Sequence, residues 1–258
     1  MQYETITYAV QDAVSVVTLN RPEVKNALNT QMRAEITHAV QAAGDEARVL
    51  VITGATGAFC SGQDLGGNVS AATLDVERML REEYEPMLQA IHNSKIPTIA
   101  AVNGVAAGAG ASLALATDVV IAAESALFIQ AFTRIGLMPD TGGTYALPRQ
   151  VGLARAMGAS LFGDAIPAAK AAQWGMIYES IPDDQFAAHW QARAQHLAQG
   201  PTVSYRSIKE ALHASATNTL EQQLALEARL QVRCGKTHDF REGVTAFLEK
   251  RPAKFEGH

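Results

Sequence analysis

Apolar and polar positions along this chain follow two regimes. Up to Ala123, short β-branched runs alternate with stretches of helical spacing; beyond Leu153, helical spacing dominates. Thr5 to Tyr8 and Val14 to Leu19 alternate loosely about a turn near Gln11-Asp12, which predicts a hairpin ended by Arg21-Pro22. From about Asn29 to Ala43, the apolar residues Met32, Ile36, Ala39, Val40 and Ala43 recur at helical spacing. Val49 to Gly54, Thr98 to Val102 and Val119 to Ala123 are continuous apolar runs, the pattern of strands buried on both faces. Such runs alternating with helices predict a largely parallel α/β sheet.

Helices are then expected over Leu153 to Leu161, Ala168 to Gln173 and Asp184 to Gln199, with a short strand at Met176 to Ile181. Gly200-Pro201 marks a boundary between a core, 1–199, and a helical region, 200–258. In the latter, Tyr205 to Ala214, Thr219 to Cys234 and Asp239 to Leu248 read as helices. The second opens on a capping box, Thr219 with Gln222. So small an appendage must pack on the core or on a neighbouring subunit.

Composition narrows the class. An apolar content of 48% with 18% charged residues, over 258 residues, reads as globular. The longest apolar stretch, Ile96 to Ala123, is broken by Asn103, glycines and Asp118, so no membrane span is expected. Met1 to Glu4 lacks the basic and apolar regions of a signal peptide. Cys60 and Cys234 are too few for a disulfide framework or a zinc site, and the histidines show no ligand spacing. A reduced, cytoplasmic setting without a bound metal is the expectation. The net charge of −5 argues against a nucleic-acid surface but leaves local Lys and Arg free to hold phosphates.

Candidate chemistry gathers on three segments. Gly62-Gln63-Asp64-Leu65 and Gly104 to Ser112 are Gly-rich; each follows a strand-like run and precedes an expected helix. Such junctions offer backbone N–H groups, and two aimed at one point would form an oxyanion hole for an enolate or a tetrahedral oxyanion. Pro139 to Thr144 adds an acid, Asp140, on a third loop. Two donor loops and a carboxylate point to acyl-group chemistry.

Arg21-Pro22 with Asn26-Ala27-Leu28, Ala58 to Leu65, Asn103 to Gly110, Pro139 to Thr144 and the tail Phe240 to Pro252 together resemble the crotonase (enoyl-CoA hydratase/isomerase) superfamily, in order and over essentially the whole chain. The resemblance implies an α/β fold: a spiral of repeated ββα units with a C-terminal helical region that builds homotrimers, often paired into homohexamers. It also implies an acyl-CoA thioester as substrate, with coenzyme A part of that substrate and no separate cofactor. Carried over by position, the oxyanion amides would be the backbone N–H groups of Gln63 and Ala109, their side chains incidental. Lys25, Asn26, Ala27, Leu28, Ala58, Ser61, Asp64 and Leu65 match the family's CoA-binding stretches. Phe132, Leu137 and Phe247 join the CoA- and substrate-binding set, and Lys25 and a neighbouring subunit's Lys250 would lie near phosphates. Surface charge is the alternative reading for both lysines. Loop-fixing hydrogen bonds are the alternative for Asn26 and the better reading for Asp64. Gly66 to Leu74 would form a loop over the site.

Departures from the family shape the expected reaction. Hydratases carry two glutamates where this chain has Ser112 and Phe132, so efficient hydration is not expected. Asp140 stands where isomerases and a hydrolytic dehalogenase of the family place an acid. Burial beside Phe132 and Leu137 should raise its pKa; the alternative is an N-cap for the helix entered at Gly142. The segment Ile135 to Arg149 most resembles the isomerase of aerobic phenylacetate degradation. That likeness implies conversion of an epoxyphenylacetyl-CoA to oxepin-CoA, or migration of a 3-enoyl double bond to the 2 position. Alternatives are a CoA-thioester hydrolase or dehalogenase with Asp140 as nucleophile, and a non-catalytic binding homologue.

Overall fold

The computed structural model describes residues 2–66 and 74–258. The interior of the segment read as a loop over the site, residues 67–73, lies outside them. The chain opens with β1 (Ile6–Gln11) and β2 (Val14–Leu19), antiparallel across the expected turn, followed by α1 (Thr30–Glu46). Asn29 caps α1, its side chain accepting the Met32 N–H, and Met32, Ile36, Ala39, Val40 and Ala43 are buried as their spacing requires. Next come β3 (Val49–Gly54), the short β4 (Ala58–Cys60), α2 (Val76–Met79) and α3 (Glu85–His92), these two helices joined by a π turn at Leu80–Tyr84. After β5 (Thr98–Val102) and β6 (Val105–Ala107) the chain enters α4 (Ala109–Leu115), then β7 (Val119–Ala123) and β8 (Leu127–Ile129). A 3-10 turn at Ala131–Ile135 leads to α5 (Gly143–Val151), α6 (Leu153–Phe162), β9 (Ala165–Pro167) and α7 (Ala168–Gln173). The rest is β10 (Glu179–Ile181), α8 (Asp183–Ala198), α9 (Thr202–Ser215), α10 (Leu220–Gly235) and α11 (His238–Glu249). The capping box of Thr219 and Gln222 is formed.

Two sheets result. The larger runs β1-β2-β3-β5-β7-β10, parallel except for the β1–β2 hairpin. Its central runs are buried on both faces: one side packs on α1 and α4, the other on Phe186, Ala194 and Ala198 of α8. The smaller sheet, β4-β6-β8-β9, is built of three-residue strands, too short to show an alternation in the sequence. Two expectations need correction. The strand predicted for Met176 to Ile181 is only Glu179–Ile181, because Gly175 turns the chain at positive φ and Met176 and Ile177 bury in the core without joining a sheet. The helix expected directly after Gly62 to Leu65 is not there among the described residues: 61–66 form no helix, and the next helical stretch is Val76–His92, whose spacing the π turn disturbs.

The small sheet decides where the chemistry goes. β4, β6 and β8 are parallel neighbours, so the segments leaving their C-terminal ends emerge side by side. Those segments are the three that carry the candidate chemistry. Among the described residues no helix is long and apolar enough to cross a membrane.

Candidate active site

Both Gly-rich junctions lose a side chain where their backbones meet. A Cβ on Gly110 would stand 2.3 Å from the Cys60 carbonyl oxygen, a backbone atom that cannot step aside. Gly62, at φ +97°, would place a Cβ 2.8 Å from the Ala107 oxygen and 3.4 Å from the Ala109 nitrogen. The loops therefore touch backbone to backbone, which brings the Gln63 and Ala109 amides together. Each N–H is left over for a local reason. Leu28 donates to Gly62 O at 2.8 Å and accepts from Asp64 N at 3.0 Å, so this parallel bridge uses the groups on either side of Gln63 and turns the Gln63 N–H away. Ala109 opens α4, and the first N–H groups of a helix have no intrahelical acceptor. Among the described residues neither donates to a protein acceptor.

These amides line a cavity of about 250 Å³ with Ser61, Leu65, Tyr84, Phe132, Leu137 and Asp140. Among the described residues Asp140 is the only carboxylate lining it. On its far side Asp140, with Val76 and Tyr84, also borders an apolar groove of about 670 Å³ along Leu80 and Leu88. A wider hollow of about 1010 Å³ between α3, α5 and α9 shares Thr141 and Gly142 with this region. It lacks the two amides and the carboxylate, so chemistry rather than size selects the smaller cavity.

Asp140 does not cap α5. Gly142 occupies the cap position with no side-chain bond, and Asp140 instead accepts the Thr141 hydroxyl at 2.7 Å. Burial pushes its carboxyl above the ordinary range, the Thr141 hydroxyl acting in the opposite direction. Ser112, at 2% exposure, sits beneath this loop and donates to the Asp140 carbonyl at 3.2 Å. The position at which hydratases resemble one another in carrying a glutamate thus supports the acid from below. Phe132 is buried against Gly108 and forms the wall of the cavity. Cys60 is fully buried and its thiol is pushed up to about 12, which leaves it a packing residue.

Other expected site residues are placed differently. Asn26 is buried; its amide donates to Ala55 O and Ala58 O, and its oxygen accepts the Arg21 N–H. Asp64 accepts from Arg21 Nη1 at 2.7 Å and from the Gly66 N–H at 2.8 Å. Both hold loop geometry, as does Lys25, whose carbonyl accepts the Ser61 N–H while its side chain is exposed. Ala27, Leu28 and Ala58 are buried behind the cavity rather than lining it. Phe247 and Lys250 lie on and after α11, away from the cavity of their own chain. Phe247 is 82% exposed, and Lys250 adopts φ 54° to end the helix.

The Gln63 side chain is not incidental. Its Oε1 accepts from Tyr84 Oη at 2.7 Å and from Arg33 Nη1 at 2.8 Å, while its Nε2 donates to Asp64 O at 2.8 Å. Arg33 is 2% exposed, donates through Nε to Glu83 at 3.1 Å and lies 4.5 Å from the centre of the Tyr84 ring. Glu83 is held below the ordinary carboxylate range: burial, the largest single influence, works against this, and the hydrogen bonds from Arg33 and Thr30 with the charges of Arg33 and Arg78 together outweigh it. Sequence reasoning missed Arg33, Glu83 and Tyr84. A signal did exist for Arg33, a charge in phase with Ile36 and Val40 on the apolar stripe of α1.

The family model for enoyl-CoA hydratase/isomerase matches residues 9–258. A protein of Rhodobacter capsulatus named a probable enoyl-CoA hydratase is 60% identical over 257 residues, 100% of each chain. The 1,2-epoxyphenylacetyl-CoA isomerase of Escherichia coli is 44% identical over 259 residues, 98% of this chain and 99% of its own. The crystal structure of an enoyl-CoA hydratase from Polaromonas sp. JS666 matches with a TM-score of 0.91 at 33% identity, covering 97% of this chain and 99% of that one. The chain belongs to the enoyl-CoA hydratase/isomerase family, the crotonase superfamily.

Proposed function

We propose that this enzyme isomerises acyl-CoA thioesters by moving a proton through an enolate. The observation that carries the reading is a single, partly desolvated carboxylate facing two free backbone amides in one cavity. With the thioester oxygen between the Gln63 and Ala109 N–H groups, the Asp140 carboxylate takes a proton from the carbon next to the carbonyl. The electron pair moves onto oxygen, where the amides stabilise it. Protonated Asp140 then returns the proton two carbons further on, and a 3-enoyl group becomes a 2-enoyl group with every atom retained. The apolar groove beyond Asp140 leaves room for the rest of the acyl chain. The likeness to the epoxyphenylacetyl-CoA isomerase supports the aromatic epoxide as an acyl group that the same enolate would rearrange to the oxepin. We take residues 1–199 as the acyl-CoA-binding core and 200–258 as an oligomerisation region of a homotrimer or homohexamer. In that assembly Phe247 and Lys250 would meet a neighbour's CoA, and Lys25 would lie near phosphate.

The relative named a probable hydratase favours a second reading, hydration of a 2-enoyl-CoA. Water addition requires one group to activate water and another to protonate carbon. Ser112 is engaged with the Asp140 carbonyl and Phe132 has no ionisable proton to give, so the single acid serves isomerisation better. The test compares conversion of 3-hexenoyl-CoA to 2-hexenoyl-CoA with hydration of crotonyl-CoA, in the native enzyme and Asp140→Asn. Isomerisation well ahead of hydration, abolished in the variant, is the expected result. Hydration as the dominant activity, or full isomerisation by the variant, would overturn the proposal.

A further inference from the structure

Gln63 is pinned by three elements at once. Its carbonyl oxygen is shared by Arg33 from α1 and Tyr84 from the π turn, and its amide nitrogen closes onto its own loop at Asp64. Arg33 Nη1 also donates to Leu28 O at 2.8 Å, the carbonyl that accepts the Asp64 N–H beside Gln63. One guanidinium therefore holds the side chain of the oxyanion residue and the strand that sets its backbone direction. Its charge is balanced by Glu83, the residue just before Tyr84, and its plane rests near the Tyr84 ring. The π turn puts both neighbours where this needs them: Glu83 reaches the guanidinium while Tyr84 faces the cavity. π turns inserted in α-helices commonly mark functional positions.

A buried arginine and glutamate are costly to desolvate, and apolar residues of similar volume often serve stability as well or better. What an apolar pair cannot do is supply directional donors to one carbonyl oxygen. We infer that Arg33 and Tyr84 are positioning residues, a clamp on the Gln63 side chain that holds the Gln63 N–H at the angle the developing oxyanion requires. This rests on the oxyanion-hole reading above. The clamp acts on the transition state through the backbone, so its loss should lower kcat far more than it raises KM.

Because the proposed catalytic donor is a main-chain N–H, the side chain can be changed while that donor stays. Gln63→Met keeps about the same volume and removes the acceptor for Arg33 and Tyr84 together with the donor to Asp64 O. The probe is the CoA thioester of 4-dimethylaminocinnamic acid, whose absorption moves to longer wavelength when its carbonyl oxygen is hydrogen-bonded. Native enzyme should red-shift the bound probe. Gln63→Met should lose more than roughly half of that shift, with kcat on 3-hexenoyl-CoA down roughly 10- to 100-fold and KM within about 3-fold, the scale of a misplaced oxyanion donor. Should Gln63→Met fail to fold, Tyr84→Phe keeps the ring and removes only its donor, and the same readouts should fall in the same direction. A full red shift and native kcat in Gln63→Met or Tyr84→Phe would overturn the clamp. A native enzyme that binds the probe without any red shift would instead sink the oxyanion hole, and the clamp with it.

Discussion

Asp140 is an acid whose surroundings disfavour its charge, and this has two measurable consequences. Its pKa is raised by burial above the ordinary 3.8, so the basic form disappears at a higher pH than it would for a free aspartate. The acid limb of kcat/KM for isomerisation should have its midpoint above 3.8; a midpoint at or below it would remove Asp140 as the base. For stability the sign is opposite to that of a salt-bridged carboxylate. The folded state binds this proton more tightly than the unfolded chain does. Its effect is therefore absent below the unfolded pKa and becomes a destabilisation as pH rises through the folded pKa. Asp140→Asn should accordingly raise Tm near pH 7 while lowering kcat by roughly 10²- to 10⁴-fold; a lowered Tm would contradict the desolvation. Ser112 tests the floor of the site. A Cβ on Gly143 would already be 2.8 Å from the Ser112 hydroxyl, so a longer side chain cannot extend towards Gly143 without displacing it. Ser112→Glu should cost about 1–3 kcal/mol in urea unfolding, and Ser112→Glu with Phe132→Glu should not create a competent hydratase.

Among the elements, the short strands and the glycines beside them determine whether the two loops meet. Gly110→Ala must push Cβ into the Cys60 carbonyl at 2.3 Å, with backbone on both sides. A loss of about 3 kcal/mol or more is expected, together with activity. Gly158, inside α6, has no atom within 4 Å of its would-be Cβ. Gly158→Ala should therefore stabilise by about 0.5–1 kcal/mol through helix propensity and leave the site alone. Denaturant midpoints for the pair check both signs. If the two substitutions cost the same, the close approach of the loops is not what holds the site.

Over the whole molecule, a polar tether joins the C-terminal region to the core. Arg48, at the start of the β3 segment, donates to Thr202 Oγ1 at 2.9 Å, Phe255 O at 3.2 Å and Gly200 O. The buried Asp239 accepts the N–H groups of Glu256 and Gly257, folding the tail back onto α11. The same region leaves Leu220, Phe240, Phe247 and Leu248 more than half exposed, a surface that a single chain does not cover. Light scattering at micromolar concentration should give a trimer or hexamer mass, and Phe247→Asp with Leu248→Asp should reduce it. A native monomer would overturn the proposed assembly.

Much of this was legible beforehand because it is local. The hairpin, α1, the buried parallel strands and the capping box of α10 follow from residue spacing and short-range hydrogen bonding, and each formed where expected within a few residues. Gln63, Ala109, Phe132, Leu137 and Asp140 were legible as separate motifs, and their chemistry was read from residue type and family resemblance. Three features depended on contacts remote in sequence. The three-residue strands of the small sheet gain stability only by pairing with one another, so no periodicity announces them. Asp140 was chosen as a base or a cap by which atoms surround it, not by its neighbours along the chain. The Arg33–Gln63–Tyr84 contacts span 30 and 21 residues and pass through a π turn that shifts the helical phase. The sequence alone determined which groups are present and which local elements carry them; only the tertiary structure decided which amides are left without an acceptor, which charges are buried and which side chains meet, because those are properties of packing between distant segments.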